Sequence, residues 1–536
     1  MTHSAHVDTF ARDNLPSPTA QPTFLNLEKL DYPTHLNCAV ELIDRHVSEG
    51  RGEHVALVGE GVEWTYAELQ KVVNRIANIL VAEGMVPGNR VLLRSANNPM
   101  MAAIYFAIIK AGGIVVATMP LLRAKELGVM IDKAHIGLAI TDEKLKDEME
   151  KAVAGRDCKM LTFDTAGHFT ALAVASDEFE ACDTAADDVC LIGFTSGTTG
   201  VPKGTMHYHR DMLAICDCYA HHLLRASPDD RFIGSPPLAF TFGLGGLVLF
   251  PWRIGGTSIL LEKASPDDLL AAIKKYRATV MFTAPTAYRA MLHKLAEHDI
   301  STLRKCVSAG EALPKATFDA WYAATGIKIT EGIGATEMLH IFIGSSEETV
   351  RPGATGLPVP HYEAKVIDET GAECPPGVPG RLAVRGPTGC RYLADPRQHD
   401  YVLEGWNVTG DTYIRDEDGY FWYQARSDDM IISSGYNIAG PEVEGGLLTH
   451  PAVAEAGVVG APDPDRGQIV KAYVVLKEGH EGDAAMVKAL QDHVKAELAP
   501  YKYPRAVDFV DALPRTETGK LQRFALRTRA AEEAGG

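Results

Sequence analysis

The chain has 536 residues with 52 basic and 70 acidic side chains, and its formal net charge of -18 argues against nucleic acid or an anionic membrane as a partner held by bulk charge. That length exceeds what one core normally fills, and 46% hydrophobic with 23% charged residues is the balance of a soluble globular chain of at least two domains. The 9 irregularly spaced cysteines, and an N-terminus without the basic start and apolar core of a secretory signal, point to reduced thiols in a cytoplasmic compartment.

In chain order, a helix is predicted over 38–46 and a short strand over 54–58. Thr65 then caps a helix, with Glu68 completing a capping box and Val72, Ile76, Ile79 and Leu80 forming an apolar stripe. The turn Pro87-Gly88-Asn89-Arg90 leads into a strand over 91–93. The apolar run 100–109, stopped by Lys110, is too short to cross a bilayer and reads as a buried helix over 102–110. Strands are predicted at 114–117, 138–140 and 159–162.

The apolar run 189–194 opens into Thr195-Ser196-Gly197-Thr198-Thr199-Gly200-Val201-Pro202-Lys203-Gly204. A hydroxyl- and glycine-rich loop offers backbone N–H and side-chain O–H donors together, and Lys203 adds the charge that a polyphosphate needs. No G-x-x-x-x-G-K-[ST] pattern fits, because Gly204 follows Lys203. Taken alone, the same stretch also reads as a flexible surface turn.

Further along, 209–223 is helical, 231–235 a strand, 267–276 a helix and 278–282 a strand, with another helix starting at Pro285. Strands alternating with helices imply buried, mainly parallel sheets covered by helices. Cys216, Cys218, His221 and His222 invite a metal reading, but their spacing matches no common zinc pattern, and cysteines two apart on a helix face different ways. Near residue 380 the texture changes to short strands, 380–384 and 420–423, of a β-rich subregion. The polar Ser427-Asp428 is taken as the boundary between domains 1–427 and 428–536, although it equally begins a hairpin; beyond it lie helices at 442–449 and 484–497 and a strand at 470–476. The expected fold class is α/β multidomain: a large N-terminal domain of helix-covered sheets with a β-rich subdomain, and a small α+β C-terminal domain.

Five ordered segments carry a resemblance: Thr195–Gly204, Gly332-Ile333-Gly334-Ala335-Thr336-Glu337, Trp406-Asn407-Val408-Thr409-Gly410-Asp411, Arg426-Ser427-Asp428-Asp429 and Pro514-Arg515-Thr516-Glu517-Thr518-Gly519-Lys520. In this order, from about residue 30 to about 525, the chain resembles the adenylate-forming enzymes: acyl- and aryl-CoA synthetases, peptide-synthetase adenylation domains and firefly luciferase. The resemblance implies a two-domain ligase with a mobile C-terminal domain, which joins a carboxylate to ATP and then, in its CoA ligases, exchanges AMP for a thiol. It assigns Thr195, Ser196, Gly197, Thr198, Thr199, Gly200 and Lys203 to the β- and γ-phosphates, Glu337 to Mg2+, and Thr336 to the α-phosphate. Gly310, Glu311, Ala312, Gly332 and Ile333 would enclose adenine, with apolar Ile333 where many relatives place tyrosine. Asp411 would take the ribose hydroxyls, Arg426 would reach the ribose or phosphate side, and Asp428 would be the hinge. Lys520 would enter for adenylation, and Ser434, Gly435 and Tyr436 would help form the CoA face. On local sequence alone, Glu337 and Asp411 read as turn residues and Lys520 as solvated surface.

The acid pocket is expected beside Phe240, Thr241 and Phe242, with Gly334 leaving room and His340 just beyond. Many aliphatic acyl- and 4-coumarate-CoA ligases carry histidine where Thr241 stands, and the pattern here is similar instead to benzoate- and 2-aminobenzoate-CoA ligases. His340 either bonds the acid or simply fills a pocket wall. The expected activity is ATP-dependent aryl-CoA synthesis with ATP, Mg2+ and coenzyme A, on benzoate or a substituted benzoate, 2-aminobenzoate being the best match. Medium-chain acyl-CoA synthesis, cinnamate-type ligation and a stand-alone adenylation enzyme serving a carrier protein remain alternatives, as does binding without turnover. The absence of a recognisable carrier segment before residue 536 favours free CoA. Expected partners are a small aromatic carboxylate, ATP and CoA, with no nucleic acid or membrane and with a homodimer left open.

Overall fold

The computed structural model describes residues 3–59, 61–164, 174–195, 202–426, 429–433, 436–463, 466–498, 500–516 and 519–535. A six-stranded sheet runs in the order Lys159–Phe163, Leu138–Asp142, Arg90–Arg94, Ile114–Thr118, Val189–Thr195, Lys203–Tyr208. Its first five strands are parallel and the sixth returns antiparallel, so the glycine-threonine stretch joins two paired strands rather than a strand and a helix. A nine-stranded sheet has a parallel centre, Ile329–Gly334, Lys305–Ser308, Val280–Thr283, Arg231–Gly234, Thr257–Ile259 and Val55–Gly59, with antiparallel strands at both edges. These are the expected helix-covered, mainly parallel sheets.

Helix Tyr66–Ala82 begins where the sequence predicts: the Glu68 N–H donates to Thr65 Oγ1 at 3.2 Å, and Glu68 Oε2 accepts the Thr65 N–H at 2.9 Å. Helix Pro99–Lys110 packs beside it with every residue buried, as an all-round apolar helix requires. Its terminal Lys110 is buried as a cation only because Nζ donates to Asp44 at 2.8 Å and to Asn74 at 2.6 Å. Among the described residues no helix is long and apolar enough to cross a membrane.

Two predicted helices contain wider π turns: Val40–Asp44 lies within 38–46, and Cys216–Leu224 continues helix His209–Ile215. A third π segment, Gly245–Leu249, follows Thr241–Leu244. Cys216 and Cys218 point into the core while His221 and His222 face solvent, so these four cannot share an ion.

The β-rich subregion is an antiparallel sheet of Glu363–Ile367, Gly380–Arg385, Trp406–Arg415 and Val402–Leu403, with Phe421–Arg426 also on Trp406–Arg415. The C-terminal region carries its own sheet, Tyr436–Ile438, Ile431–Ser433, Gly467–Leu476 and Val453–Asp463, with Ala506–Phe509 parallel to Gly467–Leu476. Strand Val453–Asp463 escapes the sequence reading because its alanines, glycines and proline carry little β-propensity. Helices Gly440–Leu448 and Ala484–Glu497 pack together there, giving the α+β C-terminal part.

One buried ion pair joins the six-stranded sheet to the segment entering the β-rich part. Arg391 donates to Asp211 at 2.8 Å, both side chains fully buried, and the guanidinium lies 3.8 Å from the Tyr208 ring centre and 4.4 Å from that of Phe24. Burial pushes the Asp211 carboxyl up, but Arg391 and then His207 outweigh it and hold it well below the usual carboxylate range. Arg391→Met leaves a buried carboxylate without its partner, so denaturant unfolding is expected to show a loss of about 3–5 kcal/mol. An Arg391→Met/Asp211→Leu double variant is expected to recover part of that loss.

Candidate active site

The cleft is built where several strand ends and loops converge, the usual place for a ligand on open α/β sheets. Thr195 ends its strand and Lys203 begins the next, and the two are register partners. Ser196, Gly197, Thr198, Thr199 and Gly200 lie outside the described residues. The Thr195 hydroxyl is buried with no hydrogen-bond partner among the described residues. On the far side, the nine-stranded sheet contributes strand Ile329–Gly334, so Gly332, Ile333 and Gly334 form its end rather than a loop after it. A single 3-10 turn, Thr336–Met338, follows and stops at Leu339, whose φ of 70° is a strained value for a branched side chain.

That turn is held from two directions. His207 Nε2 donates to the Thr336 carbonyl at 2.7 Å. The Tyr392 hydroxyl donates to Glu337 Oε1 at 2.5 Å and accepts from Lys203 Nζ at 2.8 Å, leaving ammonium and carboxylate 3.8 Å apart. Opposite Thr336 stands Gly193, where an added Cβ would come within 2.8 Å of Thr336 Cγ2. The donor set is one buried carboxylate with the hydroxyls of Thr195 and Thr336 nearby on the cleft walls. Such hard oxygen donors fit Mg2+, which takes one or two carboxylates and completes its shell with phosphate oxygens and water. The two compact His/Cys/Asp/Glu sets among the described residues, Cys38–Cys190–His209 and His3–His35–Asp183, include none of these groups.

Asp411 and Arg426 face each other in register on adjacent strands, with Arg426 Nη1 donating to Asp411 Oδ1 at 3.4 Å. Burial pushes the Asp411 carboxyl up and Arg426 pulls it back, while Glu337 adds repulsion from across the cleft. Gly410 lets the Arg426 guanidinium lie close over the strand, since a Cβ there would come 2.5 Å from Arg426 Nη2 and displace it.

Lys520 arrives from the C-terminal region on a tight turn: the Thr516 N–H donates to the Lys520 carbonyl at 2.7 Å, and Gly519 takes φ 85°. Its side chain lies over Gly310, with Cε 3.6 Å from where a Gly310 Cβ would stand. Lys520 keeps contact with solvent, and partial desolvation by the surrounding protein pushes its ammonium below the ordinary lysine value, opposed by Glu311 and Asp411 and reinforced by Arg426. Glu311 is itself pushed up by burial against the pull of Arg515 and Lys520, while Ala312 beside it faces solvent. Lys203, Glu337, Asp411, Arg426, Gly310, Glu311 and Lys520 thus share one cleft.

Two functional candidates were not read from the sequence. Tyr392 is one. The other is Glu331, buried directly before Gly332, accepting the Leu313 N–H at 2.8 Å and pushed up to about 8 by burial. A glutamate between the apolar Ile329 and Ile333 of the strand was the available signal.

Phe240, Thr241 and Thr336 line a small recess together with Tyr105, Gly193 and Leu238. His340 stands behind this wall. Its ring packs against Phe250 at 4.6 Å and Phe242 at 5.7 Å, and Gly245 must be glycine because a Cβ would lie 2.3 Å from His340 Cδ2. Burial pushes its imidazole down to about 3, against a weaker opposing effect of the Phe242 backbone, so it is neutral. Neither ring nitrogen has a hydrogen-bond partner among the described residues. Gly334 packs against the His340 backbone, 2.8 Å from where its Cβ would be. Asp428, Ser434 and Gly435 lie outside the described residues, and Tyr436 starts strand Tyr436–Ile438.

Lys203, Glu337, Asp411, Arg426 and Lys520 thus set cations and carboxylates around one cleft, an arrangement suited to an enzyme that activates acids on a nucleotide. Residues 44–392 match the family model for AMP-binding enzymes and 442–520 the model for their C-terminal domain. The chain belongs to this adenylate-forming acyl- and aryl-CoA synthetase family. It is 36% identical over 509 residues to a benzoate–CoA ligase of Thauera aromatica, covering 92% of this chain and 96% of that one. It is 33% identical to a 3-hydroxybenzoate–CoA ligase of Aromatoleum sp. (strain CIB), covering 92% and 96%. The crystal structure of the anthranilate CoA ligase AuaEII in complex with anthranoyl-AMP superposes with a TM-score of 0.90 at 33% identity, covering 95% and 99%.

Glu331 gives a pH signature. Its folded pKa of about 8 lies above its ordinary 4.5, so the native state keeps a proton that the unfolded state has released between those values. Its contribution to stability is therefore full below 4.5 and is lost as pH rises toward 8, on the order of 1 kcal/mol per pH unit. Glu331→Gln removes this dependence: unfolding measured at pH 5 and pH 8 is expected to show the variant gaining on the wild type at the higher pH.

Proposed function

We propose that this chain is an ATP-dependent aryl-CoA ligase acting on benzoate or a ring-substituted benzoate, with 2-aminobenzoate as its preferred acid. An oxygen of the carboxylate attacks the α-phosphorus of ATP, the bond to pyrophosphate breaks, and an acyl-adenylate forms. The sulfur of CoA then attacks the acyl carbon, its proton passes to solvent, and AMP leaves with the bonding electrons. The first step is needed because a thiol cannot expel the oxygen of a free carboxylate, whereas AMP is a competent leaving group.

The position of Lys520 carries this reading. It places a cation over Gly310, between Glu311 and Asp411, where negative charge grows as the acid joins the α-phosphate. When bound, Mg2+ supplies charge neutralisation to the polyphosphate, and Glu337 is the residue that would hold it. Thr195 and Lys203 hold the phosphate end, Asp411 the ribose hydroxyls, and Gly332 and Ile333 one face of adenine. For the thiol step the C-terminal region turns about Asp428, withdrawing Lys520 and bringing residues 434–436 toward the cleft.

An aromatic acid is supported by the wall beside the recess, which Phe240 lines and behind which Phe242 and Phe250 pack at tilted and edge-on angles against neutral His340. Flat rings on a fixed wall suit a rigid planar acid better than a flexible chain. The substrates named for the benzoate, 3-hydroxybenzoate and anthranilate ligases point the same way.

Benzoate, 2-aminobenzoate, cinnamate and octanoate offered at equal concentration are expected to release pyrophosphate fastest with the first two, and octanoate leading would reject the aryl assignment. Lys520→Ala is expected to slow acid-dependent pyrophosphate release by about 10²–10³-fold. The same variant should still form thioester from a supplied acyl-adenylate, measured by product chromatography.

A further inference from the structure

We propose that Tyr392 is a positioning residue that holds the phosphate-end lysine and the metal-binding carboxylate apart, so that both charges stay available to Mg·ATP. The inference rests on the roles given above to Lys203 and Glu337. Tyr392 lies outside the five segments that carried the family resemblance, yet its hydroxyl is the atom between the two charges.

A phenol has one proton to give and lone pairs with which to accept. Here the proton goes to Glu337 Oε1 at 2.5 Å and the oxygen accepts from Lys203 Nζ at 2.8 Å. The ammonium lies 4.7 Å from the centre of the Tyr392 ring, out beyond its hydroxyl edge, where the hydrogen bond sets its approach. The ring cannot swing away. Its backbone bridges Thr205, its N–H donates to Gln398 Oε1 at 2.8 Å, and the Tyr401 ring meets it edge-on at 5.7 Å.

The consequence follows from charge separation. With the hydroxyl in place, Lys203 Nζ and Glu337 Oε1 stand 3.8 Å apart, each with bonding capacity left for a ligand. Without it, the ammonium closes on the carboxylate as a direct, charge-assisted hydrogen bond. Such a pair neutralises itself: the carboxylate becomes a poorer magnesium ligand and the ammonium a poorer phosphate ligand.

Tyr392→Phe keeps the ring and deletes only the hydroxyl. Binding of a non-hydrolysable ATP analogue, followed by calorimetry across a Mg2+ series, is expected to weaken about 10-fold, with half-saturation moving to higher Mg2+. In turnover, KM for ATP should rise while KM for the acid stays unchanged. A purely structural tyrosine would instead lower the melting temperature and leave the Mg2+ half-saturation where it was, and that result overturns the proposal. A double-mutant cycle with Lys203→Met gives an independent check. Tyr392→Phe should cost much less once the ammonium is gone, and additive losses overturn the proposal as well. The binding arm needs no acid, so an error in the assigned acid leaves this test intact.

Discussion

The cleft depends on one ion pair that never touches it. Asp211 and Arg391 are fully buried, and each has a neighbour in sequence or space that reaches the site. Asp211 stands 3.7 Å from His207, whose other nitrogen holds the Thr336 carbonyl; Arg391 precedes Tyr392, which holds Glu337 and Lys203. A charge pair in the interior is a poor source of net stability but fixes position strongly, because either charge alone would be intolerable. Here it fixes, at once, both residues that grip the turn Thr336–Met338 from opposite sides.

The wider electrostatics are arranged in two scales. The whole chain is strongly acidic, yet Lys203, Arg426 and Lys520 gather in one cleft, where Lys520 feels the charges of Glu311 and Asp411, Lys203 stands 3.8 Å from Glu337 and Arg426 stands 3.4 Å from Asp411. Paired this way, Lys203 and Arg426 are held in place without ligand. Lys520 differs from the others because it comes from a region with hydrophobic clusters of its own, one around Val458, Val470 and Leu490 and another around Tyr473 and Leu526. The lysine proposed for adenylation thus sits on a part of the chain with a core of its own.

How much of this could be read from the sequence divides along the range of the interactions. Features set by neighbours were legible: the Thr65–Glu68 cap, the buried helix ending at Lys110, and the strand–helix alternation of both large sheets. Glu337, Asp411, Arg426 and Lys520 were legible through ordered motifs and Gly310 through the resemblance they carry, and the structure brings them together. Tyr392 and Glu331 were not, because their importance lies in contacts with residues 55 and 18 positions away. Strand Val453–Asp463 was missed for a local reason, its small residues giving no alternation, and the π turns because one extra residue per turn barely disturbs an apolar stripe.

The π segment Gly245–Leu249 has a consequence for how this wall tolerates changes of length. It follows the helical turn Thr241–Leu244 and packs through Gly245 against His340, on a different element from the strands that present Lys203 and Asp411 and the 3-10 turn that presents Glu337. A π turn is an α-helix carrying one surplus residue, so losing that residue closes the bulge and leaves the turns on either side in register. A one-residue deletion here is therefore absorbed at the wall beside His340 and leaves the elements that carry Lys203, Glu337 and Asp411 where they stand.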